Sequence, residues 1–192
     1  MGRASEPRGV DRVRLSQVAP DDEAEFLAAV RRSRRLHRPW VHPPATSKAF
    51  RGYLERTADD RFVALVARVQ GGQLAAVVNV SEMVRGGFCS AYLGYYAFEP
   101  FAGRGMMTRA LAQAISMAFG HYGLHRLEAN IQPGNAASRA LVQKLGFELE
   151  GFSQRYLKVG GRWRDHERWA LRKEIWRPKT LLGQILHSGR QP

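Results

Sequence analysis

The chain has 192 residues, 44% hydrophobic and 24% charged, a length and composition suited to one domain that buries its own core. Its single cysteine, Cys89, excludes an internal disulfide framework and a cysteine-based zinc site, and no apolar run approaches the roughly 20 residues that span a bilayer. The formal charge of +13 favours polyanionic partners such as nucleic acid or a phosphorylated cofactor, or else reflects arginines on solvated faces. Those arginines are scattered apart from "RRSRRLHR" at 31–38, and no aromatic-interleaved groove or recognition motif accompanies them. The N-terminal stretch lacks the apolar core of a secretory signal, so a cytoplasmic location is expected.

In chain order, residues 1–12 read as a flexible N-terminus and Val13 to Leu15 as a short strand. Asp21 and Asp22 offer N-caps for a helix reaching Leu36, with Phe26, Leu27, Val30 and Leu36 as its apolar set. "HRPWVHPP" is a proline-broken loop, and a second short helix covers Ser47 to Arg56. Two apolar, β-branched runs separated by Gly71-Gly72 predict a hairpin of well-buried strands, and Cys89 to Phe98 predicts a third strand closed by Pro100.

The next helix is the clearest periodic segment. Met107, Ala110, Leu111, Ala114, Ile115, Ala118 and Phe119 form one stripe that ends near Gly120 and Gly123. "RLEANI" alternates as a strand, "QPGN" turns the chain, and a helix from Ala136 to Leu145 stops at Gly146. Two further strands face each other across Gly160-Gly161. Residues 13–172 therefore read as one α/β (α+β) domain with a mixed sheet and helices on both faces, followed by a basic tail over 173–192 carrying Pro178 and Gly183.

"FAGRGMMTRAL" (101–111) puts Gly103 and Gly105 immediately before that long helix. It is neither a complete dinucleotide fingerprint nor a P-loop. A plain turn is one explanation. The other is an anion cradle, because the first N–H groups of a helix are unpaired and its dipole favours negative charge.

Taken with "LHRLEANIQPGNAASRALVQKLGFELEG", this stretch resembles the GNAT N-acetyltransferases. Asn135, Ser138, Leu141, Lys144, Leu145, Gly146 and Phe147 carry the pattern N-x-x-S-x-x-L-x-x-K-L-G-F of the branch acting on protein N-termini. "MVRGGFCSAYLGY", "HRPWV" and the closing hairpin are similar to RimJ/RimL-type ribosomal-protein-alanine N-acetyltransferases, over roughly residues 10 to 175. The phosphate signature Q/R-x-x-G-x-G/A departs here, with Ala102, Gly105 and Met107 at the key positions.

The resemblance implies a mostly antiparallel seven-stranded sheet splayed between its fourth and fifth strands, with acetyl-CoA in the gap and no metal. It assigns acetyl-CoA to Ala97, Phe98, Gly103, Arg104, Gly105, Met106, Met107, Asn135 and Ser138, with alignment and the oxyanion contact from backbone around Ala97 and Phe98. It lines the acceptor groove with His37, Arg38, Trp40 and Arg155. The implied substrate is a ribosomal-protein N-terminus, with ribosome association as a further expectation and neither membrane nor specific DNA as partner. Transfer to a small-molecule amine and an RNA-binding protein with secondary catalysis are the rival readings.

Transfer from a thioester to an amine needs a neutral amine, alignment, oxyanion stabilisation and a proton for the thiolate. Glu128, sharing a strand face with Asn130, is the most suggestive base, against an exposed or arginine-paired glutamate. Ser138 is the candidate acid, against a purely capping role beside Asn135. Tyr95, Tyr96 and Tyr156 are spare acids. Asp165-His166 reads either as catalytic or as a structural hydrogen-bonding unit.

Overall fold

The computed structural model describes residues 13–177, so the expectations for residues 1–12 and for the tail from Pro178 onward lie outside the described residues. Seven strands form one sheet in the order β1-β2-β3-β4-β5-β7-β6. They are β1 (Val13–Gln17), β2 (Val63–Val69), β3 (Leu74–Val84), β4 (Ser90–Ala97), β5 (Arg126–Ile131), β6 (Glu148–Val159) and β7 (Arg162–Arg172). The helices are α1 (Glu23–Arg32), α2 (Arg34–His37), α3 (Ser47–Glu55), α4 (Met106–Gly120) and α5 (Ala136–Lys144). All neighbouring strands are antiparallel except β4 and β5, as the expected mixed sheet requires.

The sheet separates two apolar clusters. On one face α4 and α5 bring Leu111, Ile115, Phe119 and Val142 against Leu65, Val78, Leu127 and Trp169. On the other, α1 and α3 bring Phe26, Val30, Phe50 and Tyr53 against Val66, Val77, Tyr96 and Phe98. The α4 stripe is buried from Ala110 to Phe119, but its first turn differs from the expectation: Met106 enters the core, while Met107 is half-buried. Trp176 extends the fold past β7, buried with its Nε1–H donating to Ser116 Oγ at 3.1 Å.

The first helix is interrupted. Ser33 takes a non-helical conformation, and its Oγ accepts the Glu99 N–H at 2.9 Å, so the predicted helix to Leu36 becomes α1 and α2. Asp22 does not cap α1 through its side chain; it accepts from Ala19 N and from Arg68 Nη2. Glu25 reaches the same guanidinium and the Leu74 N–H, clamping α1 to the β2–β3 hairpin.

Helix α5 ends as expected at Gly146, whose φ of 88° admits the left-handed turn. Phe147 N bonds Val142 O and Gly146 N bonds Gln143 O, the Schellman pattern that satisfies the last carbonyls. Across the sheet, β6 bulges between Ser153 and Leu157, where Arg155 has φ 47° and its N–H is held by Asp165 Oδ1 at 2.8 Å.

Ile115 is fully buried between α4 and the sheet. Ile115→Ala is expected to cost about 2–5 kcal/mol in urea denaturation. A loss below about 1 kcal/mol would show that α4 is not seated as described.

Candidate active site

Strands β4 and β5 pair at only three positions, Ser90↔Arg126, Ala91↔Leu127 and Tyr92↔Glu128. Beyond Tyr92 they part. The opening is a cavity of about 680 Å³ lined by Leu93 to Ala97 on β4 and Ala129 to Ile131 on β5. Both sheet faces contribute walls: Gly103, Gly105, Thr108 and Ser138 from the α4–α5 side, and His37, Trp40 and Val41 from the other.

At the first wall, Gly105 is the residue preceding α4, with φ 76°, no side-chain cap and no acidic residue in the first turn. A Cβ at Gly103 or Gly105 would meet no atom within 4 Å, and both positive φ values strain any larger residue. The result is bare backbone at the positive end of a 15-residue helix, open to the cavity. Acetyl-CoA fits this feature chemically, since a pyrophosphate needs unpaired N–H donors and close backbone approach.

Helix α5 supplies the next group. Asn135 caps it, its Oδ1 accepting the Ser138 N–H at 3.2 Å. The Ser138 hydroxyl turns instead to Tyr95, with Oγ and the phenol oxygen 2.6 Å apart. Burial pushes the Tyr95 phenol up to about 12, so it stays protonated at neutral pH.

Opposite, His37 Nε2 lies 2.8 Å from Ala97 O. A carbonyl only accepts, so Nε2 carries the hydrogen, and Nδ1 is left buried without a partner. Trp40 covers this side, packed 3.1 Å from the Cβ position of Gly134, while His42, in the adjoining hollow, stands against that of Gly160. The 40–42 loop thus rests on the β5–α5 turn and on the β6–β7 turn.

Of the residues singled out from sequence, Ala97, Gly103, Gly105, Met107, Asn135, Ser138, His37 and Trp40 all line the cavity. Others do not. Phe98 is fully buried with its N–H given to Ala75 O, so it offers no donor to the gap. Met106 is core, Arg104 is exposed, and Arg38 lines a separate hollow with Arg34 and His42. Arg155 belongs to the β6 bulge.

Glu128 sits at the closed end of the fork, its carboxylate 2.8 Å from Arg126 Nε, and does not line the cavity. This is the arginine-paired glutamate. Beside it, the hydrogen bond that the Tyr92 phenol gives to Tyr156, together with burial, pushes the phenol up to about 12. Asn130 and Gln132 line the cavity without having been proposed as ligands, as do Lys144, noted only within the family pattern, and His166, noted only in the Asp165-His166 pair. Alternation along β5 was a usable signal for Asn130 and the family pattern one for Lys144; Gln132 carries none of its own.

Residues 12–148 match the acetyltransferase (GNAT) domain family. The [ribosomal protein uS5]-alanine N-acetyltransferase of Escherichia coli (strain K12) is 41% identical over 106 residues, 55% of this chain and 55% of that protein. The chain thus matches about half the length of the curated relatives. Mycobacterium smegmatis RimJ in complex with CoA-disulfide superposes with a TM-score of 0.82 at 27% identity, covering 93% of this chain and 90% of that one. Ribosomal-protein-S5-alanine acetyltransferase from Vibrio fischeri gives 0.75 at 23% identity over 92% and 100%, a likeness of fold.

Burial holds the His37 imidazole below its ordinary range, whereas the unfolded chain binds the proton normally. Stability should therefore be complete above pH 6.5 and fall as pH drops through the lowered folded value. His37→Gln, which keeps a donor for Ala97 O, should flatten that fall in thermal-unfolding midpoints between pH 7 and pH 5. An unchanged slope would contradict the burial account.

Proposed function

Because the chain belongs to the acetyltransferase (GNAT) domain family, we propose that it moves an acetyl group from acetyl-CoA directly to the α-amine at a protein N-terminus, an N-terminal alanine of a ribosomal protein being the acceptor class. One observation carries this: the cavity at the β4–β5 fork has a glycine-flanked helix N-terminus on one wall and the His37–Trp40 wall on the other. Two substrates that meet end to end need such a passage. The identity to the Escherichia coli alanine N-acetyltransferase and the likeness to a CoA-bound RimJ support the same reading.

The residues divide the work. Gly103, Gly105 and the N–H groups of Met106, Met107 and Thr108 hold the pyrophosphate through backbone, so the missing Gln/Arg side chain at Ala102 costs little. Strand alternation fixes which β4 groups face the gap. Phe98 N–H points to β3, so the N–H groups of Tyr96 and Gly94 do too, and those of Leu93, Tyr95 and Ala97 point into the cavity. They are the donors for the pantetheine arm and the acyl oxygen.

Ser138 gives its hydroxyl hydrogen to the departing sulfur, and Tyr95, 2.6 Å behind it, restores that hydrogen. An α-amine titrates near 7.7–8.0 against about 10.4 for lysine, so an N-terminus needs less help to lose its proton.

Intact-mass measurement on an Ala-leading ribosomal peptide, an N-acetylated control and small amines tests the reading. One acetyl on the free peptide alone is expected; acetylation of small amines only would overturn the protein acceptor. Ser138→Ala should lower kcat about a hundredfold, with CoA binding in a thermal-shift titration unchanged. Full activity in that variant would remove Ser138 from the chemistry.

A further inference from the structure

A second imidazole faces the cavity with a different hand free. His166 on β7 is 3% exposed, and its Nδ1 lies 2.9 Å from Arg164 O. Since the carbonyl accepts, Nδ1 carries the hydrogen, and the neutral ring keeps its lone pair on Nε2. No described residue hydrogen-bonds Nε2. The unpaired nitrogen of His37 is sealed from solvent, whereas Nε2 of His166 is not among the sealed atoms and its residue lines the cavity.

Its place in the sheet matters as much. Asn130 pairs with Arg168, so His166, two residues along β7, shares the sheet face of Asn130. That is the face opposite α4 and α5, which carry the glycine cradle and Ser138. An amine arriving past His37 and Trp40 meets His166 on its own side of the fork.

We propose that His166 is the catalytic base, its Nε2 taking the proton from the acceptor's ammonium group. This rests on the acetyl-transfer reading above, and it sets the substrate class as an amine that arrives protonated. Nε2 accepts one proton, freeing the nitrogen lone pair. The C–N bond then forms at the thioester carbonyl carbon and the C–S bond breaks. The amine's second proton reaches the sulfur by way of Ser138 and Tyr95, and the imidazolium releases its proton to solvent. Ammonium and thioester thus become amide, thiol and one proton.

The groups around the imidazole are consistent with this role. Tyr156 of β6 stands 6.3 Å away between ring centroids, and Asp165, Arg164 and Arg168 flank it on β7. His37 of α2, Tyr95 and Tyr96 of β4 and Lys144 of α5 complete the titratable lining. Burial, the largest influence, keeps the ring below its ordinary range and hence neutral at pH 7.

The test uses His166→Asn, whose amide N–H takes the place of Nδ1–H against Arg164 O, with His166→Gln as a second variant. Wild-type kcat/KM on an Ala-leading peptide should level off with an inflection below 6.5, and the variant's inflection should move to the amine's own pKa, about 8. The deficit is then about tenfold at pH 7 and within about twofold at pH 9. Nitrogen-15 NMR of the free wild-type protein should show the Nδ1–H tautomer of His166, independently of turnover.

A wild type that acetylates no amine sinks the function and this role together. Normal wild-type transfer with a variant profile parallel to it, or an Nε2–H tautomer, overturns the role of His166 alone.

Discussion

Everything at this site depends on two parallel strands that stop pairing. After Tyr92↔Glu128, β4 and β5 separate, which leaves a strand edge of backbone N–H and C=O groups inside the fold without a neighbouring strand. Buried backbone groups need partners, so the parting has to be held open and its edge answered. His37 answers Ala97 O from one face. The Tyr95–Ser138 bond ties the open strand to α5 from the other. The remaining donors on that edge, from Leu93, Tyr95 and Ala97, match the spacing of an extended amide-bearing substrate.

Charge is distributed to suit this arrangement. Four arginines secure the scaffold: Arg68 joins Asp22 and Glu25, Arg126 joins Glu128 and Glu150, Arg139 joins Glu167, and Arg172 joins Glu148. Those pairs clamp α1 to the first hairpin, tie α5 to β7 and stitch β5, β6 and β7. The mouth with the glycine cradle has no acidic residue in the first turn of α4, so an anion there meets a helix dipole without opposition.

The strands, the two glycine hairpins and the long helix were legible because each rests on local periodicity or on turn residues with positive φ. Gly160 and Gly161 take φ 58° and 81°, the pair that a two-residue hairpin demands. The break at Ser33 was not legible, since its cause is a hydrogen bond to Glu99 across 66 positions of sequence. Nor was Asp22's desertion of the helix cap for Arg68, 46 positions away.

Within the site, Gly103, Gly105, Asn135 and Ser138 were readable from spacing and resemblance. The placement of Glu128 and of the His166 imidazole was not. Alternation put Glu128 on the face of Asn130, but only the pairing register shows that it falls at the closed end of the fork, beside Arg126. The free nitrogen of His166 follows from a carbonyl two residues away on its own strand, a contact that no pattern of residue types announces.

The most direct measurement is amide hydrogen exchange with and without acetyl-CoA. If the unpaired edge of β4 receives the substrate, protection should appear at Leu93, Tyr95 and Ala97 and at Gly105 to Thr108, with Tyr96 and Phe98, already bonded to β3, unchanged. Protection confined to other surfaces, with the β4 edge exchanging as before, would contradict the account.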